Sequence, residues 1–180
     1  MALEHAILVS LAEKSASGYD LARRFDASIG HFWKASHQQI YKVLGRMETD
    51  GWVAAELVAQ DGRPDKKVYV ITADGRDELA QWTTKATPVE HLRSAFAVKL
   101  RALPFGDADA ILADVDVRRR AHLAQLAYYE DSAARFYPDP EQIADADLGS
   151  WLVLRGGILA EQAAIAWCDE VLQRLGPAER

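Results

Sequence analysis

Residues 36 to 52, Ser36-His-Gln-Gln-Ile-Tyr-Lys-Val-Leu-Gly-Arg-Met-Glu-Thr-Asp-Gly-Trp52, decide the fold. Ser36 is suited to cap a helix, Ile40, Val43, Leu44 and Met47 recur at helical spacing, and Gly51 stops the run. The spacing therefore predicts a helix from Ser36 to about Asp50 with one buried stripe. At about 100° per residue the opposite face carries Gln38, Lys42 and Gly45, flanked by His37, Gln39, Tyr41 and Arg46. These are amide, imidazole, phenol and cationic groups, and the nearest acids, Glu48 and Asp50, sit at the far end.

Two further helices precede this one. Leu3, Ile7, Leu8 and Leu11 predict a helix over Leu3 to Lys14, which Ser15-Ala-Ser-Gly18 breaks. Tyr19 to Ala27 forms the second, with Leu21, Ala22 and Phe25 turned inward and Gly30 just beyond its end. After the third helix the period changes. Trp52 to Leu57 alternates as a strand does, and Lys67-Val-Tyr-Val-Ile-Thr72 reads as its partner across a turn, Gln60 to Lys67, that holds Arg63, Lys66 and Lys67. Thr72 then caps a fourth helix, Ala73 to Thr84. Three helices, a strand, a basic turn and a second strand make a winged helix-turn-helix. A helix with such a polar free face suits the major groove of duplex DNA, donating to base edges and phosphates, while cations on a hairpin reach the adjacent backbone.

Bulk charge points the other way until it is located. Lys and Arg total 21 against 27 Asp and Glu, for a net charge of −6. Residues 1–85 hold 11 basic and 12 acidic side chains, whereas residues 86–180 hold 10 against 15. Five of the six excess negatives thus lie outside the winged unit, and from Lys34 to Lys67 six cations meet five acids. Two domains are expected, residues 1–85 and residues 86–180, with the break near Thr84 to Pro88. The second reads as helices throughout: Glu90 to Leu103, Asp107 to about Phe136, and Asp147 to Leu175, closed by Gly176-Pro177. Helices this long expose apolar stripes that the small winged unit cannot cover, so pairing with a second copy is expected, through Leu154, Ile158, Ile165, Trp167 and Leu172. The fold class is mainly α, an N-terminal winged helix-turn-helix followed by a long-helix dimerisation domain.

As a set, Ser17-Gly-Tyr-Asp-Leu21, Gly30-His-Phe-Trp33, Ser36-His-Gln-Gln-Ile-Tyr41, Leu44, Asp50-Gly-Trp52, Lys67-Val-Tyr-Val-Ile-Thr72 and Gly75 closely resemble the PadR family of bacterial transcriptional regulators. Phe96-Ala-Val-Lys-Leu100 and Ile165-Ala-Trp167 extend the resemblance into a C-terminus of the virulence-activator-alpha type. It implies a homodimeric DNA-binding regulator, usually a repressor, released from a palindromic operator by a small effector in several members. It also implies a third helix in the major groove and a wing on the flanking groove, which places those roles on Ser36, His37, Gln39, Tyr41, Lys42, Arg63 and Lys67. Gln38 and Lys66 join them from the helical wheel and the turn. The wing departs from the family in carrying two acids, Asp61 and Asp65.

Other chemistry is not expected. The sequence has no phosphate loop, dinucleotide glycine pattern, nucleophile elbow or paired-histidine metal motif, so no enzyme, cofactor or metal site is predicted. His31 and His37 do not read as a metal pair, and the single Cys168 reads as a core residue. Phe96, Lys99, Trp151 and Arg155 combine aromatic surface with cations and form the candidate site for an aromatic carboxylate effector. With no apolar run of membrane-spanning length and an acid-bearing start, the chain reads as soluble and cytoplasmic. The rival reading is a winged protein-interaction adaptor that binds no DNA, which would need no cations on the third helix or the wing.

Overall fold

The structure is a computed structural model that describes residues 2–27, 35–60, 63–89 and 94–175, with only the backbone of residues 2, 26, 27, 60 and 63–65. Two compact units divide the chain, Met1–Val89 and Glu90–Arg180.

The first unit is built on α1 (Ala2–Glu13), β1 (Ala16–Ser17), α2 (Gly18–Ala27), α3 (His37–Thr49), β2 (Val53–Gln60), β3 (Arg63–Ile71) and α4 (Ala73–Thr83). Its strands form an antiparallel sheet in the order β1-β3-β2. Ile7, Leu8, Leu21, Ala22, Phe25, Ile40, Leu44 and Met47 from the first three helices converge with Val53 and Tyr69 of the hairpin into one core. Each of the Ile, Leu, Val, Phe and Met side chains removed from water contributes about 1.5–3 kcal/mol, the driving force that seats the third helix on the first two. The joint after α3 explains why Asp50, Gly51, Trp52, Thr72 and Gly75 occur together. Gly51, at φ 77°, turns the chain in a left-handed step, and the Trp52 N–H returns to the Met47 carbonyl at 2.9 Å, a Schellman closure. Thr72 Oγ1 donates to the Gly51 carbonyl at 2.7 Å and accepts from the Gly75 N–H at 3.0 Å, capping α4. A Cβ on Gly75 would collide with the Trp52 carbonyl oxygen.

Some boundaries differ from the sequence reading. The stretch read as a turn, Gln60 to Lys67, belongs largely to β3, because Lys66 and Lys67 pair with Val58 and Leu57 and the ladder continues to Gln60 opposite Arg63 after an irregularity near Val58. An exposed ladder draws on backbone hydrogen bonds and needs no apolar side chains, so Arg63-Pro-Asp-Lys-Lys67 hides a strand. Strand β1 was not anticipated: Ala16 and Ser17, in the expected helix break, pair with Tyr69 and Val68.

The second unit contains α5 (Ala95–Arg101), a short helical turn at Leu103–Phe105, α6 (Ala108–Phe136) and α7 (Asp145–Leu175). Helix α5 starts after its Ser94 cap and ends before the separate turn that holds Pro104; the part of the expected helix at residues 90–93 lies outside the described residues. Asp107 caps α6 through the Ala110 N–H at 3.0 Å. Helices α6 and α7, about 45 Å long, run antiparallel. His122 meets Glu161 at 2.6 Å, Tyr129 lies over Gly157, and Val115 meets Cys168 in a core with Phe96, Leu100 and Leu172. Among the described residues no helix is long and apolar enough to cross a membrane.

Candidate nucleic-acid interface

Helix α3 is fixed from both sides. Its buried stripe, Ile40, Leu44 and Met47, is fully enclosed, which turns His37, Gln38, Gln39, Tyr41, Lys42, Gly45 and Arg46 outward. Its start is a capping box: Ser36 Oγ accepts from the Gln39 N–H at 3.2 Å, and Gln39 Oε1 accepts from the Ser36 N–H at 2.8 Å. Ser36 and Gln39 therefore order the first turn, and Gln39 keeps only its amide NH2 for a partner. Tyr41 is half exposed, and its ring lies against Gly18 so closely that a Cβ there would collide with Tyr41 Cε1. Lys42 has no ion-pair partner among the described residues, whereas the Arg46 guanidinium is held by the buried carboxylate of Glu4 on α1. The face presents donors and one uncompensated cation to solvent, which is the chemistry phosphates and guanine edges accept.

The wing cations are placed differently from the expectation of a free hairpin tip. Lys66 and Lys67 are successive strand residues, so their side chains leave opposite faces of the hairpin. Lys66 Nζ reaches Asp20 of α2 at 2.6 Å, and Lys67 Nζ reaches Glu48 of α3 at 2.8 Å while lying 5.1 Å from the Tyr69 ring centre. The hydrogen bond from Lys66, helped by Ser17, holds the Asp20 carboxyl below the usual carboxylate range. The hydrogen bond to Glu48 raises Lys67. Both pairs are partly solvated, at 36–46% exposure for Lys67 and Glu48 and 37–39% for Lys66 and Asp20, so each is open to exchange. The side chain of Arg63 and residues 28–34, which include Gly30, His31 and Trp33 of the resemblance, lie outside the described residues.

In the second unit the effector candidates separate into two groups. Phe96 is buried, with the Trp167 ring edge-on at 5.5 Å and the Arg118 guanidinium 4.3 Å above it. Lys99 binds Asp114 at 3.0 Å, which holds the Asp114 carboxyl low. Trp151 packs instead against Tyr137 at 5.5 Å, with Arg155 exposed one turn on. Trp151 and Trp167 are sixteen positions apart, about 24 Å along α7, so one protomer does not gather the four candidates into a single cavity. The dimer candidates also divide. Ile158 is buried, Leu172 packs on Phe96 and Cys168, and Leu154 and Ile165 share that side of α7, so these four face α6 of their own chain. Trp167 is 41% exposed, and Leu148, Leu152 and Leu159 stand exposed on the other side. Burial raises the Cys168 thiol above its usual range, with Asp169 adding to the effect, and leaves the sulfur in the core.

Sequence reasoning missed Asp20, Glu48 and Glu4 as partners of the basic residues. Ser17, three residues before Asp20, was the one local signal, since its hydroxyl accepts from the Asp20 N–H at 3.1 Å and donates to the Asp20 carboxylate at 2.9 Å.

Comparison with known proteins agrees with this arrangement. Residues 7–81 match the transcriptional regulator PadR-like family, and residues 92–176 match the family described as virulence activator alpha C-term. A probable transcriptional regulator of Mycobacterium tuberculosis, Rv1176c, is 48% identical, over 97% of this chain and 98% of its own length. The negative transcriptional regulator PadR of Bacillus subtilis is 30% identical, over 94% of this chain and 95% of its own. The crystal structure of that regulator with operator DNA superposes with a TM-score of 0.85 at 25% identity, covering 97% of this chain and 99% of the other. Its complex with p-coumaric acid shares the fold, with a TM-score of 0.78 at 24% identity over 98% and 96% of the two chains. With both modules present in order and full-length relatives that are regulators rather than enzymes, the chain belongs to the PadR-like family of DNA-binding transcriptional regulators.

Proposed function

We propose that this chain is a homodimeric, cytoplasmic repressor that occupies a palindromic operator through α3 and the wing. The observation that carries the reading is the outer face of α3, where a capping box orders the first turn and Lys42, with no ion-pair partner among the described residues, lies exposed with His37, Gln38 and Tyr41. In this reading Gln38 and Gln39 donate to base edges, Ser36, His37 and Tyr41 contact the backbone, and Lys42 and Arg63 neutralise phosphates. The apolar stripe of Leu148, Leu152, Leu159 and Trp167 supports a second copy as partner, since it is exposed on the side of α7 away from α6. Two recognition helices then stand about 34 Å apart, one turn of DNA. Selection of duplexes from a randomised pool by purified protein tests this directly. The expected product is a palindrome, and Lys42→Ala flattens the salt slope on it by about one unit. Recovery of no sequence preference, or an unchanged slope, refutes the reading.

The effector is an aromatic carboxylate that releases the dimer by favouring an incompatible half-site spacing. A cation stands one helical turn from an aromatic residue twice, Lys99 from Phe96 and Arg155 from Trp151, which supports that class, and the Bacillus subtilis relative binds such a molecule. With p-coumaric acid as probe, Lys99→Met and Arg155→Met tested separately identify which pair responds. Release unchanged in both variants removes the two pairs from the effector site.

A further inference from the structure

The two wing lysines lie on one strand, yet each is claimed by a carboxylate from a different helix of the helix-turn-helix, Asp20 of α2 and Glu48 of α3. In the first pair the acid is the better anchored partner. Asp20 sits in the first turn of α2, bonded to the Ser17 hydroxyl, and retains that bond and the helix N-terminus if Lys66 leaves. Glu48 lies in the last turn of α3 and is partly solvated. The lysines are long, flexible and partly exposed, so they are the groups that move. Exposed ion pairs of this kind are weak enough for a phosphate, itself an oxyanion with stronger local field along a duplex, to compete.

We propose that Asp20 and Glu48 are specificity-determining residues: they occupy Lys66 and Lys67 in the free protein as internal substitutes for phosphate and yield them only to a backbone phosphate held at the wing. The proposal rests on the reading of α3 and the wing as the DNA face. Random DNA, which does not hold the wing in register, must then bind through the remaining cations, and the electrostatic term common to all sequences is kept small. Selected DNA, docked by α3, presents phosphates where both lysines exchange partners. The acids therefore act against nonspecific binding without contacting DNA themselves. The lowered Asp20 carboxyl and raised Lys67 ammonium agree with pairs that are formed in the free protein.

The test measures full-length protein on a selected duplex and on a scrambled duplex of equal length across a salt series. Asp20→Asn and Glu48→Gln are each expected to tighten scrambled-duplex binding about two- to fivefold and to steepen its log–log salt slope by about 0.9. The selected duplex should change less, so the specificity ratio falls. Asp50→Asn removes an equal charge from the end of α3 without freeing a lysine and should leave the scrambled-duplex slope unchanged. Glu48→Gln in a Lys67→Met background should give no gain. An equal gain from Asp50→Asn, a gain that persists in the Lys67→Met background, or an unchanged slope in both acid variants overturns the proposal. If instead Lys42→Ala fails to weaken the selected duplex, it is the assignment of the DNA face that falls. Thermal unfolding of each variant separates loss of fold from change of binding, and Glu48→Gln stands independently if Asp20→Asn loosens α2.

Discussion

Replacing Gln39 by Glu separates two tasks that the side chain performs at the third position of α3. One task is structural: its Oε1 accepts the Ser36 N–H at 2.8 Å, half of the capping box. Glutamate performs this equally well, and its charge near the helix N-terminus adds about 0.3–1 kcal/mol. The other task is to offer the free NH2 to DNA, which glutamate cannot do. A carboxylate placed against an acceptor on a base, among phosphates, costs about 1.5–3 kcal/mol, or about a ten- to hundredfold loss of affinity. Gln39→Glu is therefore expected to melt at or above the wild-type temperature while losing the selected duplex. Gln39→Ala loses half the cap and is expected to drop by about 0.5–1.5 kcal/mol in stability. The pair of measurements is urea unfolding and duplex binding on the same preparations. Gln39→Glu binding within twofold of wild type would remove Gln39 from the interface, and a stability loss as large as that of Gln39→Ala would refute the capping argument.

Three further outcomes follow from burial and pairing. Leu44→Ala opens the fully enclosed core under α3 and should cost about 2–5 kcal/mol in urea unfolding; a loss below 1 kcal/mol would contradict that packing. Asp20 has a folded-state carboxyl below its ordinary value of 3.8, so the pair with Lys66 contributes stability above that pH and loses it as pH falls through the folded value. The stability difference between wild type and Lys66→Met should accordingly be flat near neutrality and shrink below pH 3.8; a difference that grows on acidification would refute the pairing. Leu152→Lys combined with Leu159→Lys should convert dimer to monomer by sedimentation, whereas Ile158→Ala should lower stability and leave the dimer, because Ile158 is buried against α6 and the two leucines are exposed.

The winged unit was largely legible from local patterns. Ile40, Leu44 and Met47 announced the buried side of α3, and Ser36, Gly51, Thr72 and Gly75 marked its joints, since caps and left-handed turns restrict residue type within a few positions. The ends of the hairpin were not legible, because the backbone of β3 continues through charged residues whose side chains carry no strand signal. Helix α7 posed a different difficulty. It is apolar on two sides, and helical period alone cannot tell which side meets α6; of the residues read as dimer contacts, Leu154, Ile158, Ile165 and Leu172 lie on the side that meets α6 and Trp167 lies on the other. The effector candidates were chosen by composition, which carries no information on distance along a long rigid helix.

What the sequence alone determined is the helices and the core of the hairpin, the family, and the polar face of the third helix, which follow from residue types and from spacing within a few turns. What only the tertiary structure decided is which charges remain available. Lys66 and Lys67 look like free cations on a turn until the hairpin is docked, when strand pleating sends one to Asp20 and the other to Glu48. Arg46 joins the outer face of α3 by period, and is then taken by Glu4 from the first helix. Such pairings depend on strand register and helix docking, which link residues far apart in the chain, and they leave Lys42 as the cation that the outer face of α3 presents unpaired among the described residues.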